Sequence, residues 1–466
     1  MEKYKILISF ICLISIFSQV STGAEPEKVV LSLESTLDMA LDHNPQLKVA
    51  EKEVEKANAA VWEAYSVILP QLDASLNFQH AWEIQESTIP NFLKPMLAPL
   101  APYIEGLEQM PDFVKLSFGL ENTLTYGASV TQPLFLGGAG IAGIKIANAG
   151  VRSSEHNLDS QRQTLIFDCV NGFYSALLAT KLVDVQQEAL AQAQANLDAV
   201  TKKYDVGAAS GFDKMRAEVE EANLKPALIS AKNNYELALT QLRMIIGLDR
   251  ATVIEISGDF VYVDDEFGNL PLQEMQDMAS ESRPEMLILN EQKQITRQGI
   301  NIARSNFLPK ILFMTDYSYL AMRDDMKFNQ KDFSKGFTSA ISLHIPLFHG
   351  FRSVKQYQKA KLDYHIIQDV EKQVSDGLFA ETEVAYHKFH EARQKFFSAR
   401  ETVALAQEAL RMANLMYDEG ANTQLDVLNS RLSLTQAQMN YYRSLYDHQV
   451  ARYKLRKVTG QTRGIL

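Results

Sequence analysis

Cysteine is nearly absent. The chain has two, and Cys12 lies inside an N-terminal apolar run that reads as a cleaved segment. Cys169 is then left alone, so no internal disulfide forms and stability must come from packing and assembly. Its neighbours Ile166, Val170 and Phe173 mark it as a core filler, not a nucleophile. Proline is missing between Pro133 and Pro226, and again after Pro346. Because proline breaks helix interiors, these gaps permit very long helices. No stretch of 18 or more apolar residues follows the N-terminal run, so no transmembrane helix is expected. Excess positive charge is also lacking. The net charge of -11 argues against a nucleic-acid partner or an anionic surface. There is no phosphate-binding glycine loop, so any energy must come from elsewhere. No catalytic constellation is visible, and nothing calls for a cofactor. His387 and His390 are three apart on a helix, as a metal pair can be. No further ligands join them, and an exposed helix surface is the plainer explanation.

The N-terminus has the form of an export signal. Lys3 and Lys5 precede the apolar run Ile6–Val20, and the small residues Ser21–Ala24 follow. Cleavage is expected after Ala24.

The rest of the chain is written twice. Leu31, Met39-Ala40, Pro45 and Leu69-Pro70 return as Leu270, Met278-Ala279, Pro284 and Leu308-Pro309, each 239 positions later. Pro133-Leu-Phe, Tyr204-Asp205, Gly207, Asp213 and Gly247 return as Pro346-Leu-Phe, Tyr417-Asp418, Gly420, Asp426 and Gly460, each 213 later. A length difference of 26 residues between Pro70 and Pro133 separates the two registers. A duplicated unit builds one supersecondary structure twice.

The expected organisation follows from that repeat. The first copy spans 25–247, with strands at 71–86 and 116–136, a long helix at 140–206 and a returning helix at 213–246. A connector occupies 248–282, with a short strand at Val253–Ile256 and a short helix. The second copy spans 283–466, with strands at 309–322 and 334–348, a long helix at 352–419 and a returning helix at 424–459. Shorter helices near Pro45–Ile68 and Pro284–Phe307 precede the strands. Each long helix would run about 100 Å at ~1.5 Å per residue. Leu190, Ala193, Leu197, Val200 and Tyr204 follow a 3-4-3-4 spacing, and Val403, Ala406, Leu410, Ala413 and Tyr417 repeat it. That is the narrow seam of a coiled coil.

The four strands alternate apolar and polar residues, with aromatics toward their ends. Leu72, Ala74, Leu76 and Phe78 alternate with Asp73, Ser75 and Asn77; Phe337, Ile341 and Leu343 alternate with Thr338 and Ser342. An ordinary sheet on a soluble core would alternate too, but the export signal and the polar opposite faces favour a membrane β-barrel. A spanning sheet must close, because lipid cannot satisfy an open edge. Four strands are too few, since the smallest spanning barrels use about eight. Several copies must therefore pool strands around a polar lumen. The rival reading is an exported coiled-coil scaffold or adhesin without a channel, which would not need the alternating strand pairs.

Pro133-Leu-Phe-Leu-Gly137 and Pro346-Leu-Phe-His-Gly350 stand at the strand-to-helix junctions, and Tyr204-x-x-Gly207 and Tyr417-x-x-Gly420 at the ends of the long helices. This set, in this order and twice, resembles the TolC-like outer membrane efflux proteins over the whole mature chain. The resemblance implies a mainly α protein with a membrane β-barrel. It implies a homotrimer with a twelve-stranded barrel in outer-membrane lipid, continued by a periplasmic α-barrel. It implies a passive exit duct of a tripartite efflux or type I secretion system in a Gram-negative bacterium. The partners would be a periplasmic adaptor (membrane fusion) protein and an inner-membrane RND or ABC pump.

The family's periplasmic constriction maps onto the tips, Tyr204–Asp213 and Tyr417–Asn429. Its acidic aperture position corresponds to Asp426, and a second, often acidic, to Asn429. The tyrosine that ties the closed tip corresponds to Tyr417, with Asp213 as the acid it works with. A basic tip residue of the family falls at Asn422, so that ion pair is absent here. The turns at Gly207, Gly420 and Asn422 would face the adaptor. Three Asp426 carboxylates around an axis would attract cations and raise one another's pKa. Asp213 and Asp426 could equally serve as helix-start residues, which aspartate often is.

Overall fold

A computed structural model describes residues 28–103, 106, 109–117 and 119–462; the expected export segment lies outside them. Contacts divide the chain into two units, neither of which is one repeat. One gathers the residues up to Glu55, Arg152–Asn290, and those from Gln368 onward. The other gathers Lys56–Val151 and Glu291–Ile367.

The elements in order are β1 (Lys28–Leu31), α1 (Leu33–His43), α2 (Pro45–Ser66), β2 (Gln71–His80), β3 (Glu86–Pro90) and α3 (Leu93–Leu97). Then come β4 (Phe113–Ser117), β5 (Asn122–Phe135), α4 (Ala139–Asp205), α5 (Gly211–Ile246) and β6 (Val253–Ile256). The chain continues as α6 (Leu272–Ser282), α7 (Pro284–Ser305), β7 (Lys310–Arg323), β8 (Ser334–His344), α8 (Arg352–Asp418) and α9 (Gln424–Val458). The two long helices, α4 and α8, have 67 residues each. Pro226 lies inside α5 without ending it.

The unit built around Lys56–Val151 and Glu291–Ile367 holds a four-stranded antiparallel sheet in the order β2-β5-β7-β8. Leu76 lies opposite Tyr126, and Tyr126 opposite Tyr319, while Tyr317 pairs with Phe337 and Phe313 with Ile341. These residues therefore share one face. Tyr126 and Tyr319 stack with centroids 5.1 Å apart. The opposite face carries Asp73, Ser75, Thr125, Ser129, Asp316 and Thr338. Much of the apolar face is bare among the described residues: Leu72 and Leu76 are each 74% exposed, Phe337 72% and Ile341 70%. Its outer strands, β2 and β8, each have one unpaired edge among the described residues.

Three strand limits differ from expectation. The strand expected over 71–86 ends at His80, and β3 pairs with β4 in a separate two-stranded sheet. The strand expected over 116–136 is interrupted near Gly119, whose φ of +129° no ordinary strand residue adopts. The last strand stops at His344 rather than 348, ahead of Pro346, which lacks an N–H to offer a ladder. Pro133 is tolerated within β5 where the register with β7 slips between Pro133 and Phe135.

The other unit is helical, apart from a short parallel pair, β1 with β6. Leu31, Ile166, Val170, Leu242, Ile246 and Ile254 form its main core. Cys169 is fully buried there, and burial raises its thiol pKa to about 12, with the Asp168 charge adding to the effect. By length and composition, α4 contains a stretch apolar enough to cross a membrane, contrary to the sequence expectation. Its residues Ile166, Val170 and Ala176 instead lie in this core.

The connector is fastened by charge as well as packing. Asp265 is buried and accepts hydrogen bonds from Arg452 Nε at 2.9 Å and Arg456 Nε and Nη2 at 3.1 and 3.0 Å. Gly268 lies against the buried Phe389 ring, and a Cβ there would come within 2.1 Å of it. Burial alone would raise the Asp265 pKa. The hydrogen bonds and charges of Arg456 and Arg452 outweigh it and hold the carboxyl below its ordinary range. The stabilisation is therefore full above the unfolded value near ~3.9 and is lost as pH falls through the lower folded value. Removing one member of a buried ion cluster costs about 3 kcal/mol or more, because the remaining charges lose their partner. Asp265→Ala should lower the thermal midpoint at pH 7, with the difference from the parent shrinking as the acid limb is descended. An unchanged midpoint would mean that the connector is held by packing alone.

Candidate functional site

The two hairpin tips use the same backbone device. In the first, Gly207 N–H donates to the Tyr204 carbonyl and Ala208 N–H to the Lys203 carbonyl, at 2.9 and 2.7 Å. In the second, Gly420 N–H donates to Tyr417 and Ala421 N–H to Met416, at 3.1 and 2.8 Å. These are Schellman ends, which need a left-handed residue just past the helix. Gly207 and Gly420 supply it with φ of +78° and +73°. Asn422 N–H also reaches the Met416 carbonyl, at 3.2 Å.

The returning helices begin with the same side-chain device. Ser210 caps α5, and its Oγ accepts from Asp213 N–H at 3.1 Å while donating to Asp213 Oδ2 at 2.6 Å. Thr423 caps α9, and its Oγ1 donates to Asp426 Oδ2 at 2.6 Å. Asp426 Oδ2 also accepts from Thr423 N–H at 3.0 Å. Both aspartates thus occupy the third position of a capping box, which is why α5 starts at Gly211 instead of Asp213. The hydrogen bonds from the Thr423 hydroxyl and then its N–H hold the Asp426 carboxyl below its ordinary range.

The two carboxylates nevertheless differ. With its amide turned so that NH2 faces the first tip, the orientation its acceptor neighbours require, the Gln424 carboxamide, itself 3% exposed, donates to the Asp213 main-chain oxygen at 3.1 Å and to Oδ1 at 3.3 Å. Both oxygens of Asp213 are therefore engaged. Among the described residues, the cap engages only Oδ2 of Asp426, and Asp426 is exposed. Tyr417 is half-buried against Leu410, Ala413, Val427 and Leu434, the seam the heptad spacing marks. Lys203 Nζ lies 4.5 Å from the centre of the Tyr417 ring and 3.7 Å from Asp418 Oδ1. No described hydrogen bond joins Tyr417 to Asp213; Asp213 meets Gln424 and Tyr417 meets Lys203.

Asn429 is exposed and lies on a groove of about 380 Å³ beside the second tip, with Leu224, Leu425, Leu428, Leu432 and Arg216. The sequence reading did not single out Lys203 or Gln424. Their positions in the other copy are Met416 and Gly211, but neighbouring tip positions such as Ala209 and Asn422 differ as well, so the repeat alone does not mark them. Elsewhere, His387 approaches Glu383 at 3.9 Å. No group of three or more metal-binding side chains occurs among the described residues.

Comparison with known proteins places this geometry in context. The chain is 21% identical over 443 residues to the alkaline protease secretion protein AprF of Pseudomonas aeruginosa, covering 92% of this chain and 84% of that one. It is 18% identical over 432 residues to the outer membrane protein TolC of Vibrio cholerae, covering 92% and 90%. The solved CmeC outer membrane channel of Campylobacter jejuni superimposes with a TM-score of 0.74 at 19% identity, covering 92% of this chain and 86% of that one. The family model for outer membrane efflux proteins matches residues 36–248 and 276–461, one stretch in each repeat. With both copies matched and the fold shared, the chain belongs to the outer membrane efflux protein family.

Proposed function

We infer that this protein is an outer-membrane exit duct, a passive conduit from the periplasm to the exterior. The observation that carries the reading is the sheet β2-β5-β7-β8, with one bare apolar face, one polar face and two open edges. In water such a face would aggregate. In lipid the apolar face is solvated, but the open edges would leave N–H and C=O groups unsatisfied. Edge-to-edge pairing of copies meets both demands. Three copies give twelve strands, an even number within the range of spanning barrels. The polar faces then line a lumen. A scaffold or adhesin has no use for an uncovered apolar sheet.

The chain has no phosphate-binding loop, so an inner-membrane RND or ABC pump would supply energy and choose the cargo, joined by a periplasmic adaptor. The turns at Gly207, Gly420 and Asn422, with the apolar groove beside the second tip, are the surface proposed for that adaptor. The aperture residue best placed by its chemistry is Asp426, exposed and with one carboxylate oxygen outside the cap. Asp213 and Tyr417 belong to the closing contacts, and Asn429 lies on the groove.

Two experiments test this. In membrane fractions the protein should resist alkaline extraction and leave only with detergent; release by alkali would support the scaffold. In planar bilayers the purified protein should form cation-preferring channels. Asp426→Asn, which keeps a capping oxygen, should cut the cation-to-anion permeability ratio roughly twofold or more. An unaltered ratio would remove Asp426 from the pore.

A further inference from the structure

Between β6 and α6 the connector runs without helix or strand over residues 257–265, yet its second half is tied down almost residue by residue. Asp259 meets Lys181 of α4 at 3.0 Å, and the Phe260 ring stacks on Tyr174 of the same helix. The Val261 carbonyl accepts from Gln449 Nε2 of α9 at 2.6 Å. Tyr262 lies flat on Phe396 of α8, with centroids 4.5 Å apart and planes 3° from parallel. Asp264 meets Arg393 of α8 at 3.2 Å, and Asp265 meets Arg452 and Arg456 of α9. This strap joins three helices. Under it lies His448 of α9, fully buried. Tyr262, Phe389 and Phe396 surround its ring, with centroids at 4.8, 5.5 and 6.4 Å. Neither ring nitrogen has a hydrogen-bond partner among the described residues. Buried polar groups are nearly always paired, so an orphaned imidazole is a cost that packing does not require. The positions 213 before Phe389, Phe396 and His448 hold Ala176, Val183 and Tyr235, so the first hairpin forms with no histidine there.

We propose that His448 is an acid trigger: when its ring takes a proton, the strap of residues 259–265 lifts from α8 and α9. The inference concerns one unit of one chain and stands apart from the duct reading. A neutral imidazole fits among aromatic rings, whereas a cation there would have neither water nor an acceptor. Ring faces attract cations, but Arg393 on α8 and Arg452 on α9 repel one. The carboxylates in reach, Asp264 and Asp265 on the strap, are already held by those arginines and Arg456. Burial, then the charges of Arg452 and Arg393, pull the imidazole from its ordinary 6.5 down to about 4, against the opposing effect of Asp264 and Asp265. With the strap lifted, the ring meets water and titrates near ~6.5. Between these two values the lifted state carries a proton that the closed state refuses. Falling pH therefore favours lifting about tenfold per unit, while above ~6.5 both states are neutral and the strap stays down. Asp265 does not produce this window, because its own contribution is complete above ~3.9 and fails only at lower pH.

The test is limited proteolysis of the purified full-length protein, using an endopeptidase that cuts after acidic residues in both mild acid and neutral buffer. Asp259, Asp264, Asp265 and Glu266 offer it sites on the strap. Each rate is divided by that for an unfolded peptide of the same residues at the same pH, which cancels the protease's own pH dependence. When reclosing outpaces cutting, the quotient reports the lifted population. In the parent it should rise about tenfold per pH unit below ~6.5, reaching about a hundredfold near ~4.5. In His448→Phe, which fills the bay with a ring that takes no proton, it should stay level over that range. A level quotient in the parent would overturn the trigger, whatever the variant does. Equal rises in the parent and in His448→Phe would also overturn it, since another group would then be titrating. So would an equal rise at the tip residues Asp205 and Glu419, which would mean general unfolding. Should His448→Phe not fold, His448→Tyr, which carries the first copy's residue, takes its place beside the parent.

Discussion

Backbone hydrogen bonds that cannot be left unmade in lipid are the constraint on which the rest depends. Each strand of β2-β5-β7-β8 is long enough to matter, and the two inner strands are paired on both sides. The two outer strands are not, and their apolar side chains are bare. A soluble protein would hide such edges with a helix, a bulge or inward charge. Here no described element pairs with them, which is the condition of a fragment of wall. Edge pairing between copies, as proposed above, would meet that demand.

Duplication gives the chain its economy and the tips their asymmetry. The same Schellman turn and the same capping box were built twice, at Gly207 and Gly420 and at Asp213 and Asp426. Divergence at tip positions such as Gln424 against Gly211 makes the two aspartates differ. It turns one aspartate inward to a partner and leaves the other free. Positions that the repeat makes equivalent are thereby left in different surroundings.

Much of this was legible in the sequence because it depends on periodicity. Alternation along Leu72–Phe78 and Phe337–Leu343 marks a two-faced sheet, and the 3-4 spacing from Leu190 to Tyr204 marks a seam that is found buried at Ala193 and Val200. What escaped depends on backbone conformation or on distant pairing. Gly119 stops a strand through its φ, which no alternation pattern reports. The pair of β1 with β6 joins two four-residue strands from far apart, too short for a period to show. The capping boxes at Ser210 and Thr423 could have been read from Ser-x-x-Asp and Thr-x-x-Asp. The contacts of Lys203 and Gln424 could not, because side-chain reach between two tips is a property of the folded pair.

Edge pairing between copies is the claim on which everything else stands. Cysteines introduced singly on the polar face of each outer strand, at Ser75 of β2 and scanned along Thr338 to Ser342 of β8, would report it in native membranes. Oxidation of the correct pairing should convert the chain into covalent dimers and then trimers, and stop there, because a closed ring has no free edge. A ladder that runs past three, or a chain that stays monomeric at every scanned position, would contradict it.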